Sequence, residues 1–132
     1  MHATSKVRSY KDLIVWQKGL LMVKAIYKLT SRFPADERFG LVTQMRRAAV
    51  SVPSNIAEGQ SRHTAGEFVQ FISIAEGSLA ELETQLLIAC DLGICNQPDS
   101  AAVLQQIEEL QKMLNGLRTK LTPHPSPLVT RF

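Results

Sequence analysis

From Phe68 to Ala89 the apolar residues Phe68, Ile72, Ala75, Leu79, Leu82, Leu86 and Ala89 alternate steps of four and three without a break. An α-helix turns once per 3.6 residues, so such steps return to a single face. A stripe of this length needs burial, and its period suits helices packed almost parallel. The spacing recurs elsewhere. Val42, Met45, Ala49, Val52 and Ile56 carry it between about Phe39 and Gly59, and Val103, Ile107, Leu110, Leu114, Leu117 and Leu121 between about Asp99 and Leu121. Between Asp12 and Ser31 two apolar lines compete. Leu13, Trp16, Leu20, Val23 and Tyr27 keep the alternation and are assigned to the core. Val15, Met22, Ile26, Leu29 and Phe33 form a second line, surplus to a single bundle.

The punctuation between these segments fits helices. Pro34 stops the first. Gly59 is placed as a left-handed stop for the second, and Gly93 for the third. Thr64 and Glu67 form a capping box at the start of the third, which runs from about Ala65 to Leu92. Pro98 and Pro123 bracket the fourth. No segment alternates like a strand. The expected fold is all-α: an antiparallel up-down-up-down four-helix bundle over residues 11–122, with mobile segments at 1–10 and 123–132.

Pro53 falls inside the second helix. It lacks an amide hydrogen and crowds the carbonyl of Ala49, at a cost of about 3 kcal/mol in an isolated helix. Val52 and Ile56 stay on one seam across it. The helix is therefore expected to continue with a bend, its freed backbone groups bonded by Ser51, Ser54 or Asn55. Gln44, Ser51, Asn55, Glu58 and Arg62 share one flank, and Glu67, Ser78, Glu81 and Gln85 a comparable flank of the third helix. A polar network between the two is one reading; two solvated edges is the other. Arg46 and Arg47 point about 100° apart. Arg47, toward Ser51 and Glu58, is expected to pair with an acid. Arg46 is expected to be free or to reach a neighbouring subunit.

The chain of 132 residues carries a net charge of only +3, but the charge is segregated. Residues 1–32 hold seven cations and one acid; residues 65–97 hold five acids and no Lys or Arg. The first segment is expected to pack beside the third, or to meet it across a subunit boundary. Cys90 and Cys95 read as reduced thiols. No secretory leader is expected and no apolar run approaches the about 20 residues of a membrane span, so the expected location is cytoplasmic.

Catalysis finds little support. A nucleophilic Ser51 or Ser54 would need a histidine base. Of the three histidines, His63 lies in a loop and His2 and His124 lie in the terminal segments. No Glu-x-x-His pair and no glycine-rich phosphate loop occurs, so no enzyme activity, cofactor or metal is expected.

The stretch QMRRAAVSVPSNIAEGQSR, followed by EFVQFISIAEGSLAELETQLLIACDLG, resembles the bacterial four-helix-bundle proteins encoded in intervening sequences of large-subunit ribosomal RNA genes. YKDLIVWQKGLLMVKAIYKLTSRFP resembles their first helix, and the likeness covers about residues 10 to 121. A relative similar in fold is the accessory variability determinant of diversity-generating retroelements, which works beside a reverse transcriptase and RNA. The resemblance implies a ring-like homopentamer, a nucleic-acid-binding role and no catalytic residues. Arg46, Arg47, Asn55, Glu58 and Gly59 match the family's central motif, and Ser78, Glu81 and Gln85 its helix-three motif. One departure is QSRHTAGE after Gly59, with a single arginine where many relatives have several basic residues.

Two functions follow. In the first, the protein is an accessory binder of RNA or DNA, with a reverse transcriptase as a candidate partner. Lys11, Lys18, Lys24, Lys28, Arg32, Arg46 and Arg47 contact phosphates, and five copies of a +3 chain carry +15. These side chains could equally be a solvated face or pair with third-helix acids. In the second, the protein is an assembly or scaffold module for a protein partner. Its support is the surplus apolar line of the first helix, together with Val69, Ala80 and Leu87 on the third.

Overall fold

The protein was analysed as a computed structural model, which describes residues 9–122. Residues 1–8 and 123–132, which hold most of the two segments expected to be mobile, lie outside the described residues. Ser9 caps a 3-10 turn, Tyr10–Asp12, through its side chain. Four helices follow: α1 (Ile14–Thr30), α2 (Thr43–Gln60), α3 (Ala65–Asp91) and α4 (Gln97–Leu121). A 3-10 turn, Ala35–Glu37, and a π-helical turn, Arg38–Val42, lead from α1 into α2.

The helix ends obey local chemistry. At α3, Thr64 Oγ1 accepts the Glu67 amide at 3.1 Å, and Glu67 receives the hydroxyl in return. At α4 the cap is Asn96, whose side chain accepts from the Asp99 amide, so the helix starts two residues before the expected Asp99. Gly93 follows α3 with φ of +75°, the left-handed conformation expected there.

Each helix packs on two neighbours. α1 lies beside α2 and α4, and α3 beside α2 and α4, so α1 and α3 are diagonal. Partners across every interface run in opposite chain order: Gly19 meets Pro53 while Thr30 meets Arg46, Ser51 meets Ser78 while Gly59 meets Phe68 and Phe71, Lys18 meets Glu109 while Arg32 meets Asp99, and Glu76 meets Arg118 while Glu83 meets Gln111. The bundle is thus antiparallel throughout, as the short links require. The expectation that the basic first segment packs beside the acidic third within one chain is not met, because the diagonal separates them.

The second, third and fourth stripes converge as expected. Met45, Ala49, Val52, Ile56, Ile72, Ala75, Leu79, Leu82, Leu86, Ile107 and Leu114 are completely buried. On α1 the assignment of the two lines is reversed. Val15, Met22, Ile26, Leu29 and Phe33 form the core, whereas Trp16, Leu20 and Val23 are half-buried and Tyr27 is exposed. The reason is Gly19. Counted as a member, it completes a four-three line from Val15 to Phe33, but an apolar pattern search passes over it. Its missing side chain admits α2. A Cβ there would lie 3.4 Å from the Pro53 Cβ, so the proline ring seats directly on α1.

α2 runs unbroken through Pro53, with Pro53 itself buried. Gly59 does not stop it. The helix continues to Gln60 and Gly59 is a contact point: an added Cβ would stand 2.7 Å from Phe71 Cβ and 2.8 Å from Phe68 Cδ1. Gly77 is also helical but has nothing within 4 Å of such a Cβ. The two glycines should therefore respond oppositely to alanine. Gly77→Ala should gain up to about 1 kcal/mol from helix propensity. Gly59→Ala should lose about 1–3 kcal/mol, because the α2–α3 contact must open. Thermal melts of the two variants check the sign of each shift.

Candidate nucleic-acid interface

The central motif lies where α2 faces α3 and α1. Ser51 and Ser78 join the two helices, Oγ to Oγ, at 2.8 Å. Asn55 Nδ2 donates to the Ser51 carbonyl at 2.8 Å and to Ser51 Oγ at 2.9 Å, beside the proline. Ser51 Oγ can accept from Asn55 while donating to Ser78, so all three groups are bonded at once. These residues stitch the helix around Pro53 to α3. Ser54 is exposed and lines the groove between α1 and α2 instead. Glu58 pairs with Arg62, four residues on and just past the end of α2, at 2.8 Å. On α3, the buried Gln85 donates to Glu81 at 3.3 Å, and its Oε1 has no partner among the described residues. The polar network between the flanks thus has one cross-helix bond, Ser51 to Ser78, with local pairs on either side.

The seven cations expected at phosphates separate into three groups. Lys18 is bonded to Glu109 at 3.0 Å and Arg32 to Asp99 at 2.9 Å, both tying α1 to α4. Such half-exposed pairs contribute little stability, but they occupy these cations within the chain. Arg46 is half-buried. Its Nε donates to Thr30 Oγ1 at 2.9 Å, its Nη2 to the Tyr27 carbonyl at 3.3 Å, and its guanidinium lies 4.4 Å from the Tyr27 ring centroid. Lys11, Lys24, Lys28 and Arg47 are exposed and form no ion pair among the described residues.

The two arginines therefore have roles opposite to those expected. Arg46, expected to be free or to reach a neighbouring subunit, fastens α2 to the end of α1 within the chain. Arg47, expected to pair with an acid, stands in solvent without an ion pair among the described residues; Glu58 lies eleven residues on, about 16 Å along the helix, and pairs with Arg62. Helical angle alone could not reveal this. It placed Arg46 correctly on the α1 flank but carried no information on the aromatic and carbonyl waiting there. Two residues of the turn that leads into α2, Arg38 and the 89% exposed Phe39, carry no periodic signal in the sequence. Elsewhere, burial and then the neighbouring Cys90 push the Cys95 thiol up to about 11, in keeping with an inert, half-hydrophobic side chain. No group of three or more His, Cys, Asp or Glu among the described residues could hold a metal ion. No helix among the described residues is long and apolar enough to cross a membrane.

Residues 11–116 match the family model described as 23S rRNA-intervening sequence protein. Among solved structures, the chain is similar to a protein of unknown function from the S23 ribosomal protein family of Bacteroides thetaiotaomicron VPI-5482, determined at 1.70 Å. The identity is 20%, the TM-score 0.72, and the match covers 80% of this chain and 98% of that one. At this identity the likeness establishes the shared bundle. No curated protein matches the chain.

Truncating the two arginines should separate their roles. Arg46→Ala removes a cation–π contact and two hydrogen bonds and should cost about 1–3 kcal/mol. Arg47→Ala removes no hydrogen bond or ion pair among the described residues and should stay within about 0.5 kcal/mol of wild type. Chemical denaturation of both variants with a shared m-value checks this; equal midpoints for the two would refute the assignment.

Proposed function

We propose that this chain, which belongs to the 23S rRNA-intervening sequence protein family, acts without catalysis as a homo-oligomeric bundle that binds nucleic-acid backbone. The observation that supports the reading is the diagonal placement of α1 and α3. The acids of α3 face away from the cations of α1, so Lys11, Lys24 and Lys28 keep their charge, and Arg47 on α2 keeps its own. Lys24 and Lys28 lie one turn apart on the outward side of α1, within reach of successive phosphates. A single chain at +3 binds weakly. A ring of five, the number implied by the family resemblance, repeats the row and multiplies its effect.

The two readings meet on the same helix face. Ile14 and Leu21 stand 60% and 56% exposed among the α1 lysines, and phosphate binding leaves them unexplained. On the outward side of α3, Ile74 and Ile88 flank Glu81 at steps of seven; on α1, Ile14, Leu21 and Lys28 follow the same step. Docking α1 of one copy on α3 of the next, shifted so that Lys28 meets Glu81, would also set Leu21 against Ile74 or Ile88 and leave Ile14 outside the match. In the second reading that contact is the whole function: Lys28 is taken by Glu81 of the next copy, and no nucleic acid is bound.

Binding titrations across salt separate the readings. For a nucleic-acid binder, Lys24→Ala with Lys28→Ala should reduce the slope of log K against log salt by about 1.4–1.8, two phosphate contacts' worth. Arg32→Ala, which removes a cation already paired with Asp99, should change it less. An unchanged slope in the double variant would end the assignment of these lysines. Assembly has its own test by light scattering. Glu81→Lys should lower the oligomer mass and adding Lys28→Glu should restore it. A wild-type mass of 14.7 kDa at micromolar concentration would end the oligomeric reading.

A further inference from the structure

We infer that the corner between α1 and α2 holds one nucleotide of a single-stranded nucleic acid, with Arg46 and Arg38 on its phosphate and Phe39 stacked on a base. This deepens the nucleic-acid reading and rests on it.

Arg46 is unusual among the chain's fixed cations. Lys18, Arg32, Arg62 and Arg118 each have a carboxylate within 3.0 Å. Arg46 is held as firmly, but only by neutral groups: a ring, a hydroxyl and a carbonyl. Its orientation is set, its charge is partly desolvated, and the donors on Nη1 are unused. An arginine arranged this way is prepared for an anion and loses little entropy on receiving one.

The space beside it fits that role. A cavity of about 340 Å³ opens at the corner, bounded by Thr30, Ser31, Phe33, Arg38, Val42 and Arg46 among others. Two guanidinium groups border it and no carboxylate does; Asp36 and Glu37 belong to the same turn but do not line it. A phosphate can accept a forked pair of hydrogen bonds from each arginine.

Phe39 supplies the second half. It follows Arg38 in the π-helical turn and is the most exposed large apolar side chain in the described residues. The Arg38 guanidinium lies 6.0 Å from its centroid, at the outer edge of cation–π range, so the ring is steered toward the arginine without being covered. A free aromatic face beside a phosphate site is how single strands are held, since their bases are unstacked and any base offers a π-face. Duplex bases have no such face to give.

The test uses the full chain, a labelled 12-nucleotide single-stranded RNA, a duplex of the same length and AMP as competitor, followed by fluorescence anisotropy across salt. Phe39 and Arg38 are exposed, so their variants should melt as wild type does. Phe39→Ala should weaken single-strand binding about tenfold with the salt slope unchanged, and Phe39→Trp should restore it. Arg38→Ala should weaken binding and reduce the slope by about 0.7. Duplex affinity should respond to neither Phe39 variant. If both alanine variants bind as wild type while the Lys24/Lys28 double variant is impaired, the corner site is overturned and the broader reading stands. If wild type binds no oligonucleotide at low salt, both are overturned. AMP binding that depends on Phe39, with no single strand able to compete, would replace the strand by a free nucleotide and overturn the proposal. Loss of oligomer mass in Phe39→Ala at unchanged RNA affinity would assign the ring to a subunit contact, with the same consequence.

Discussion

The seating of the Pro53 ring on Gly19 governs how α1 and α2 lie together. A proline in mid-helix needs tertiary packing to offset its lost hydrogen bond, and the glycine gives its ring a flat surface to cover. Once that contact is made, the rotation of α1 is fixed. Val15, Met22, Ile26 and Leu29 turn to the core, and Trp16, Leu20 and Val23 turn to the groove shared with α2. Farther along the same interface, Tyr27 and Thr30 are brought to Arg46. The fixed arginine is thus a distant consequence of a glycine placed just over two turns before Tyr27 on the same helix.

The same rotation decides the electrostatics. With α1 turned this way, its flank toward α4 presents Lys18 and Arg32 to acids, and its outward side keeps Lys24 and Lys28. α3 gives Glu76 and Glu83 to α4 and keeps Glu81 and Asp91 outside. A bundle with four sides cannot bring diagonal helices into contact, so charge of opposite sign remains on opposite walls. Such an arrangement favours partners that carry charge themselves, whether phosphates or the facing wall of another copy.

The fold was legible because three of the four helices write their buried face in large aliphatic residues at helical spacing. The capping box at Thr64 and the left-handed Gly93 were legible for the same reason: each is a local rule, independent of the rest of the chain. The failures involve glycine. Gly19 belongs to a stripe yet contributes no hydrophobicity, and its omission moved the core to the wrong line of α1. Gly59 sits near a helix end, where glycine most often marks a left-handed residue, but its service is to admit Phe68 and Phe71. Only tertiary proximity tells a glycine that ends a helix from one that lets another helix approach. The candidate site was legible in composition, as the basic first segment. It was not legible in pairing, because which lysine finds an acid depends on helix rotation and on α4, far away in sequence.

Arg46 shows why the pairing matters more than the count. A net charge of +3 could be spread over solvated lysines with no consequence. Solvated side chains lose rotamer freedom when they bind, and salt screens them over about a Debye length. A guanidinium already oriented by a ring and a carbonyl has lost that freedom during folding, and the walls of a half-buried cavity weaken the screening. In the proposed site Lys24 and Lys28 would supply attraction at a distance, and Arg46 and Arg38, with Phe39 beside Arg38, the geometry at contact. The long-range and short-range parts lie on adjoining surfaces of one helical hairpin, and the hairpin owes its shape to the proline seated on Gly19.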